Sequence, residues 1–338
     1  MVFFVAIASL SLFPSNYIAR LNARYSLVVK EPVFIRQTTI ILLSIPVLIA
    51  FSIAIMKIGL APLNKVERIA VMGKFHYVLL TLWPVVLFCY MTVSPRSKMN
   101  LSEGILFSSV VTVYFAYCLY MEERDFALIS LPLLFWYYKD RPVPVFRMFV
   151  GVPIAAILFT ALSAGRSSEM DGSGLASFLN QGSNLMVTSN ILLWIEQEQN
   201  LMWGMSYFAG FVNMITLGAV KLVTPLSIWF SQKYSSAVND GAFGFSIEGE
   251  ALINFGLIGI PFLFSIIACF LAWTYKGFLK GTPVATLLTY YSLFYFIYAI
   301  RGESLILFKA FMYCMVIFIL LVMISQRGRL YFAVQHRF

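Results

Sequence analysis

Long runs of apolar residues limit most strongly what this chain can fold into. A helix needs about 20 apolar residues to cross the hydrocarbon core of a bilayer. Because the runs are continuous rather than alternating, they predict helices and not the strands of a membrane barrel. The sequence thus predicts an all-α polytopic integral membrane protein with about nine transmembrane helices. The nine runs are 1–18, 38–58, 75–94, 101–120, 126–138, 145–163, 249–275, 283–300 and 304–325.

Composition excludes the main soluble classes. Hydrophobic residues make up 60% of the chain and charged residues 12%, against about 45–50% and about 25% in soluble domains. A soluble enzyme, a disordered chain and a nucleic-acid-binding protein are therefore excluded. The four cysteines lie inside apolar runs, and neither histidine has a neighbouring ligand, so we expect no disulfide framework, no metal site and no cofactor.

Basic loops predict the orientation of the chain. Residues 1–163 are expected to form the N-terminal transmembrane helices, and 249–338 the C-terminal ones with a basic tail. Short basic loops mark the cytoplasmic side, and the net charge of +9 is explained by such loops. The loop at 57–74 is the one basic exception. The long segment 164–248 carries three positive and six negative residues, which favours the outer side.

One stretch inside that long loop, 201–220, is apolar enough to suggest a tenth crossing. A tenth crossing would place the basic tail outside. Trp203, Tyr207 and Phe211 recur every four residues, which puts them on one face of a helix. We therefore interpret the stretch as a re-entrant or interfacial helix.

Charged residues gather at the predicted outer ends of the helices. Arg124, Arg166 and Arg301 come from three separate elements, with Lys233 as a weaker fourth cation. Arginine binds phosphate oxygens in a bidentate manner, so this group would suit the head group of a lipid-linked pyrophosphate. Glu250 and Asn254 are four residues apart and share one helical face.

Structural interpretations of the same residues stay open. Arg124 with Asp125, and Arg301 with Glu303, would also serve as ion pairs at helix ends. Glu248 would also suit the positive end of a helix as a plain acidic residue. The aromatic residues of 201–220 would also serve as packing residues.

The stretch DGAFGFSIEGEALINFGLIG at 240–259 contains the pattern G-E-x-x-x-N-F-G-x-x-G. This pattern is similar to the signature of the Wzy-type O-antigen polymerases, the oligosaccharide repeat-unit polymerases of bacterial inner membranes. The segment GMSYFAG at 204–210, followed by Pro225 and Trp229, and the turn IRGES at 300–304 are similar to further parts of the family pattern. Arg124 matches in position. The resemblance covers about 120–304.

The resemblance implies a GT-C-like membrane glycosyltransferase. Such an enzyme joins undecaprenyl-pyrophosphate-linked oligosaccharide repeat units on the periplasmic face of the inner membrane. It transfers the growing glycan to a new lipid-linked unit and releases undecaprenyl pyrophosphate. A flippase and a chain-length regulator are the implied partners. The chain is shorter than many members, which implies an abbreviated or missing N-terminal helix.

This reaction assigns a role to each candidate residue. A carboxylate takes the proton of the attacking sugar hydroxyl, and Glu250 is the first choice for it, followed by Asp240. Fixed cations stabilise the departing pyrophosphate, a task for Arg124, Arg166, Arg301 and Lys233, which leaves no need for a metal. Substrate-binding roles are expected for Tyr207, Asn254 and Trp203.

Two other functions stay open. An O-antigen ligase uses the same donor, but the lack of histidine in the long outer loop disfavours it. A transporter or flippase of lipid-linked glycans typically shows internal repeats and polar residues at the bilayer midplane. Here the polar residues lie towards one predicted face.

Overall fold

A computed structural model describes most of the chain after its first 31 residues. Every regular element in the described part is helical. The described residues are 32–59, 63, 65–94, 99–123, 125–138, 182–198, 200–216, 219–220, 222–234, 245–299 and 302–335.

The described helices fall into three groups along the chain. The first group comprises α1 (Pro32–Lys57), α2 (Lys65–Met72), α3 (Lys74–Val93), α4 (Leu101–Tyr120) and α5 (Asp125–Tyr138). The second comprises α6 (Gly182–Glu198), α7 (Met205–Ile215) and α8 (Leu226–Tyr234). The third comprises α9 (Ile247–Phe255), a 3-10 turn (Gly256–Ile258), α10 (Gly259–Leu279), α11 (Pro283–Ala299) and α12 (Ser304–Gln335).

Five stretches of helix in these residues are long and apolar enough to cross a membrane. They coincide with five of the predicted runs, and apolar side chains such as Leu101 and Ile258 on two of them are exposed. The chain is therefore a polytopic α-helical membrane protein. The five stretches are Arg36–Lys57, Lys74–Val93, Leu101–Tyr120, Ile247–Leu279 and Ser304–Ile324.

The total of nine crossings stays a prediction. The runs at 126–138 and 283–300 form the helices α5 and α11, which have 14 and 17 residues. The runs at 1–18 and 145–163 lie outside the described residues. The long segment 164–248 contains three helices in its described part, α6, α7 and α8, where the sequence predicted one.

The chain divides into two compact units. Of the described residues, the first unit comprises those within 32–138, 269–294 and 310–335. The second unit comprises those within 182–268 and 295–309.

Buried aromatic residues hold α1, α3 and α4 together in the first unit. Trp83 of α3 stacks on Tyr114 of α4, with ring centroids 3.7 Å apart. Its indole N–H donates to the carbonyl of Leu43 in α1 at 3.1 Å, which provides the acceptor that a buried indole requires.

Polar side chains of the same unit pair across helices. The carboxylate of Glu103 pairs with Arg36 and accepts a hydrogen bond from the hydroxyl of Tyr90. The buried His76 contacts the Tyr117 hydroxyl at 2.8 Å and Glu123 at 3.2 Å. Pairing of this kind lowers the cost of polar groups among apolar helices.

An apolar cluster forms the core of the second unit, where α6 packs against α9. Gly249 allows this approach, because a Cβ atom there would lie 3.2 Å from the Val187 side chain and 2.9 Å from Ser246 Oγ. Ser246 caps α9, since its hydroxyl accepts from the Gly249 N–H at 3.0 Å. The buried members of the cluster are Val187, Ile191, Leu226, Phe230, Phe245, Leu252 and Ile253.

The predicted span at 249–275 is broken near its start. Helix α9 ends at Gly256, which has a left-handed φ of 66°. Helix α10 begins at Gly259, whose missing side chain permits a close approach, because a Cβ there would lie 2.3 Å from the Ala251 carbonyl oxygen. The 21 residues of α10 extend about 32 Å, enough to cross the hydrocarbon core alone. Helix α9 is thus free to contribute its buried side chains to a site.

Candidate functional site

The short helix α7 presents a face of small and polar residues to the interior of the second unit. Ser206, Ala209, Gly210 and Asn213 are spaced i, i+3, i+4 and i+7, so they lie on one side of the helix, and all four are buried. A Cβ on Gly210 would lie 3.4 Å from the Phe308 ring. The absence of a side chain there lets α7 pack closely against the start of α12.

Glu250 lies at the centre of a buried hydrogen-bond network and is 2% exposed. Its Oε1 atom accepts from the hydroxyls of Ser206 at 2.7 Å and Ser304 at 2.8 Å. Its Oε2 atom accepts from the backbone N–H of Ser304 at 2.6 Å. The carboxylate therefore has three donors, one of them at the positive N-terminus of α12.

Asn254, one turn further along α9, orients this network. Its Oδ1 accepts from the Gly204 N–H at 2.9 Å, and its Nδ2 donates to Ser206 Oγ and to the Glu250 carbonyl, both at 2.7 Å. Because a backbone N–H can only donate, this contact fixes which way the amide points. Ser206 must then accept from Asn254 and give its own proton to Glu250.

These bonds use both amide hydrogens of Asn254 inside the protein. The backbone of the loop before α7 is also hydrogen-bonded to the end of α9. The Met202 N–H donates to the Ile253 carbonyl at 3.0 Å, and the Trp203 N–H donates to the Asn254 carbonyl at 3.1 Å. Asn254 thus positions residues 202–206, and its predicted role in substrate binding stays a prediction.

A second carboxylate, that of Glu303, holds the start of α8. Its Oε2 accepts from the Leu226 N–H at 2.6 Å, and its Oε1 accepts from the Ser227 hydroxyl at 3.3 Å. Burial raises the pKa of the Glu303 carboxyl above its ordinary value, and these hydrogen bonds offset that effect only in part. The predicted turn pair between Arg301 and Glu303 stays a prediction, because Arg301 lies outside the described residues.

Both carboxylates line one cleft of the second unit. The open space between its walls is about 350 Å³, including the part that opens outwards. One wall is the small polar face of α7 and another is the loop before α8. The residues that line the cleft are Ser206, Ala209, Gly210, Asn213, Val223, Thr224, Pro225, Leu226, Glu250, Glu303 and Leu305.

The three aromatic residues that were predicted to share one helical face, Trp203, Tyr207 and Phe211, lie in different environments. Trp203 lies in the turn before α7 and is 77% exposed, and Phe211 is also exposed. Tyr207 packs against Phe255 with nearly parallel rings whose centroids are 6.1 Å apart. Burial, and next the charge of Glu250, raise the pKa of the Tyr207 hydroxyl above its ordinary value. Trp203 is therefore not on the helical face that the four-residue spacing predicted.

Lys233, the weaker fourth cation of the sequence analysis, lies near the end of α8. Its Nζ atom is 5.4 Å from the ring centroid of Trp194 and 5.7 Å from that of Trp229. These distances are typical of cation–π contacts. The other predicted residues, Asp240, Arg124, Arg166 and Arg301, lie outside the described part of the chain, so their roles stay predictions.

The arrangement brings a carboxylate with oriented hydroxyl partners to the wall of a cleft. Such a group can accept a proton from a bound hydroxyl. The sequence analysis named Glu250 as a candidate but gave no role to Ser206, Asn213 or Ser304. Ser206 and Ser304 lie in the segments 204–210 and 300–304 of the family resemblance, and the i, i+3, i+4, i+7 spacing of small and polar residues within 201–220 could have pointed to Ser206 and Asn213.

Comparison with known proteins gives no relative. No protein-family model, curated protein sequence or solved structure matches this chain.

Proposed function

We propose that the chain polymerises undecaprenyl-pyrophosphate-linked oligosaccharide repeat units at the periplasmic face of the bacterial inner membrane. In this proposal it is a GT-C-like glycosyltransferase with nine transmembrane helices, and the cleft of the second unit belongs to its active site. The growing glycan leaves undecaprenyl pyrophosphate and is joined to a new lipid-linked unit.

One observation carries the proposal. The three sequence segments that resemble the polymerase family each contribute to one hydrogen-bond network: Ser206 from the first, Glu250 and Asn254 from the second, and Ser304 from the third. The signature residues also explain the broken helix, since Asn254 fixes the preceding loop and Gly256 ends α9. Convergence of separate motif segments on one buried carboxylate is typical of a functional site.

The proposed step is displacement at an anomeric carbon. The hydroxyl oxygen of the acceptor sugar forms a bond to this carbon while the bond to the pyrophosphate oxygen breaks. The hydroxyl proton passes to the Glu250 carboxylate, which has about one acceptor position left after its three hydrogen bonds. The electron pair leaves with the pyrophosphate, whose charge Arg124, Arg166 and Arg301 are proposed to stabilise.

Glu250→Gln tests the assignment of the base. Purified protein in nanodiscs would receive a synthetic polyprenyl-pyrophosphate repeat unit, with and without EDTA. We expect a ladder of longer lipid-linked products from the wild type under both conditions, and at least 100-fold slower product formation from Glu250→Gln, since general base catalysis contributes about 10²–10⁴-fold. The control is Glu196→Gln, which alters an exposed carboxylate of α6 and should form the same ladder. Wild-type product lengths from Glu250→Gln would reject Glu250 as the base.

A broken helix of this kind also occurs in another class of membrane protein, the transporters. Discontinuous helices with buried polar groups are found at the substrate sites of transporters, and α9 with its 3-10 turn has this form. The same lipid in proteoliposomes separates the two functions. Transfer of the lipid across the bilayer without any ladder would favour the transporter.

A further inference from the structure

One side chain in the cleft plays no part in the hydrogen-bond network. Asn213 of α7 is 7% exposed, and its side-chain oxygen accepts no hydrogen bond from any residue in the described part of the chain. A buried amide oxygen without a donor is costly, and more so in an apolar helix of a membrane protein. Its place in the wall of an open cleft indicates a partner from outside the chain.

The neighbouring groups in the cleft specify the chemistry of that partner. Glu250 accepts three hydrogen bonds, and Glu303 accepts bonds from Leu226 and Ser227. A carboxylate has about four acceptor positions, so each can take a further donor, as can the Asn213 oxygen. The cleft therefore suits a ligand that donates hydrogen bonds.

A neutral donor fits better than a cation. The charge of each carboxylate is already offset by hydroxyl and backbone donors, and both carboxylates bond to the N-terminus of a helix. The remaining wall is apolar, with Ala209, Val223 and Leu226 facing the cleft. A sugar ring is complementary to such a wall, because it carries hydroxyl groups at its edge and C–H groups on its faces.

We propose that Asn213 binds a hydroxyl of a sugar ring in the lipid-linked glycan, and that the cleft receives this hydroxyl group as part of a subsite for the sugar. This inference rests on the proposed function and adds a specificity-determining residue to it. Asn213 contacts the sugar and not the pyrophosphate, so its loss should weaken recognition of the glycan part alone.

The test compares two lipids that differ only in the sugar. Binding of undecaprenyl-pyrophosphate-linked N-acetylglucosamine and of undecaprenyl pyrophosphate would be measured in nanodiscs for the wild type and for Asn213→Leu. Leucine has nearly the size of asparagine but forms no hydrogen bond. We expect Asn213→Leu to bind the sugar-bearing lipid about five- to tenfold more weakly than the wild type, as for one lost hydrogen bond, with unchanged affinity for undecaprenyl pyrophosphate.

Two controls separate binding from folding. Met214→Leu changes the next residue of α7, which does not line the cleft, and should preserve both affinities. The Tm of unliganded Asn213→Leu should equal or exceed that of the wild type, because an unpartnered amide is replaced by an apolar group.

The possible failures are distinguishable. If Asn213→Leu keeps the full wild-type preference for the sugar-bearing lipid, the subsite is rejected and the proposed polymerase is unaffected. If the wild type itself binds the two lipids equally, the polymerase proposal loses its substrate and the subsite is rejected with it.

Discussion

At the scale of single residues, Glu303 makes the stability of the second unit depend on pH. Glu303 precedes the candidate span Ser304–Ile324, and its carboxyl is buried beside the start of α8. Burial raises the pKa of this carboxyl from its ordinary value of 4.5. The folded protein thus binds this proton more tightly than the unfolded chain, and the group contributes less to stability as the pH rises through the folded pKa.

We therefore expect the Tm of the wild type to fall relative to that of Glu303→Gln as the pH rises from about 4.5 towards neutrality. Glutamine keeps an acceptor for the Leu226 N–H but cannot titrate. The relative change should be a few °C, since about 1 kcal/mol shifts Tm by roughly 2–4 °C in a domain of 150–250 residues. Thermal unfolding in detergent at a series of pH values measures it. Parallel Tm curves for the two proteins would contradict the coupling.

Local spacing predicted part of the site at this scale. Glu250 and Asn254 share a helical face because they are four residues apart, and in the structure both belong to one hydrogen-bond network. Ser206 and Ser304 lie 44 and 54 residues away from Glu250. Contacts over such distances depend on helix packing, which hydropathy does not encode, so sequence reasoning did not find these partners.

At the scale of elements, the break between α9 and α10 depends on Gly259. A Cβ there would lie 2.3 Å from the carbonyl oxygen of Ala251, and a backbone oxygen has little freedom to move away. We expect Gly259→Ala to destabilise the protein by about 1–3 kcal/mol, as overpacking does in cores, and to displace Glu250 from its donors.

Gly104 in α4 is the matched control for this prediction. A Cβ there meets nothing within 4 Å, so Gly104→Ala should be neutral or stabilising by up to about 1 kcal/mol, because alanine favours helix formation. The measurement is the Tm of each variant in detergent, and we expect the Tm of Gly259→Ala to be lower than that of Gly104→Ala. Equal Tm values would show that the close approach at Gly259 does not hold α10 in place.

The pattern of apolar residues predicted the long elements well and their interruptions poorly. Five predicted runs coincide with candidate spans, because crossing a bilayer requires long apolar helices. The break at Gly256–Ile258 lies inside an unbroken apolar run, and the face of α7 that lines the cleft is the small polar face and not the aromatic one. Both features depend on how individual glycines pack, which the apolar character of a run does not reveal.

At the scale of the whole molecule, the proposed nine crossings would place the loops at 57–74 and 276–282 on opposite sides of the membrane. Five predicted crossings separate the two loops, and an odd number changes the side. We expect an impermeant maleimide to label Glu67→Cys, but not Thr282→Cys, on intact spheroplasts.

The label requires a background in which the four native cysteines, Cys89, Cys118, Cys269 and Cys314, are replaced. Thr282→Cys should react once the membrane is permeabilised, which controls for its accessibility. Labelling of both positions on intact spheroplasts would remove one crossing from the scheme, and α5, with 14 residues, would be the first to reconsider.

The network around Glu250 also sets an order of events during synthesis. Ser304 is made 54 residues after Glu250, so the carboxylate emerges from the ribosome and enters the membrane without its final donors. Until the start of α12 has been made, the Glu250 carboxylate lacks the two hydrogen bonds that Ser304 donates to it. A nascent chain halted before this helix would therefore lack two of the three donors to Glu250, and the cleft would take shape only once the start of α12 has been made.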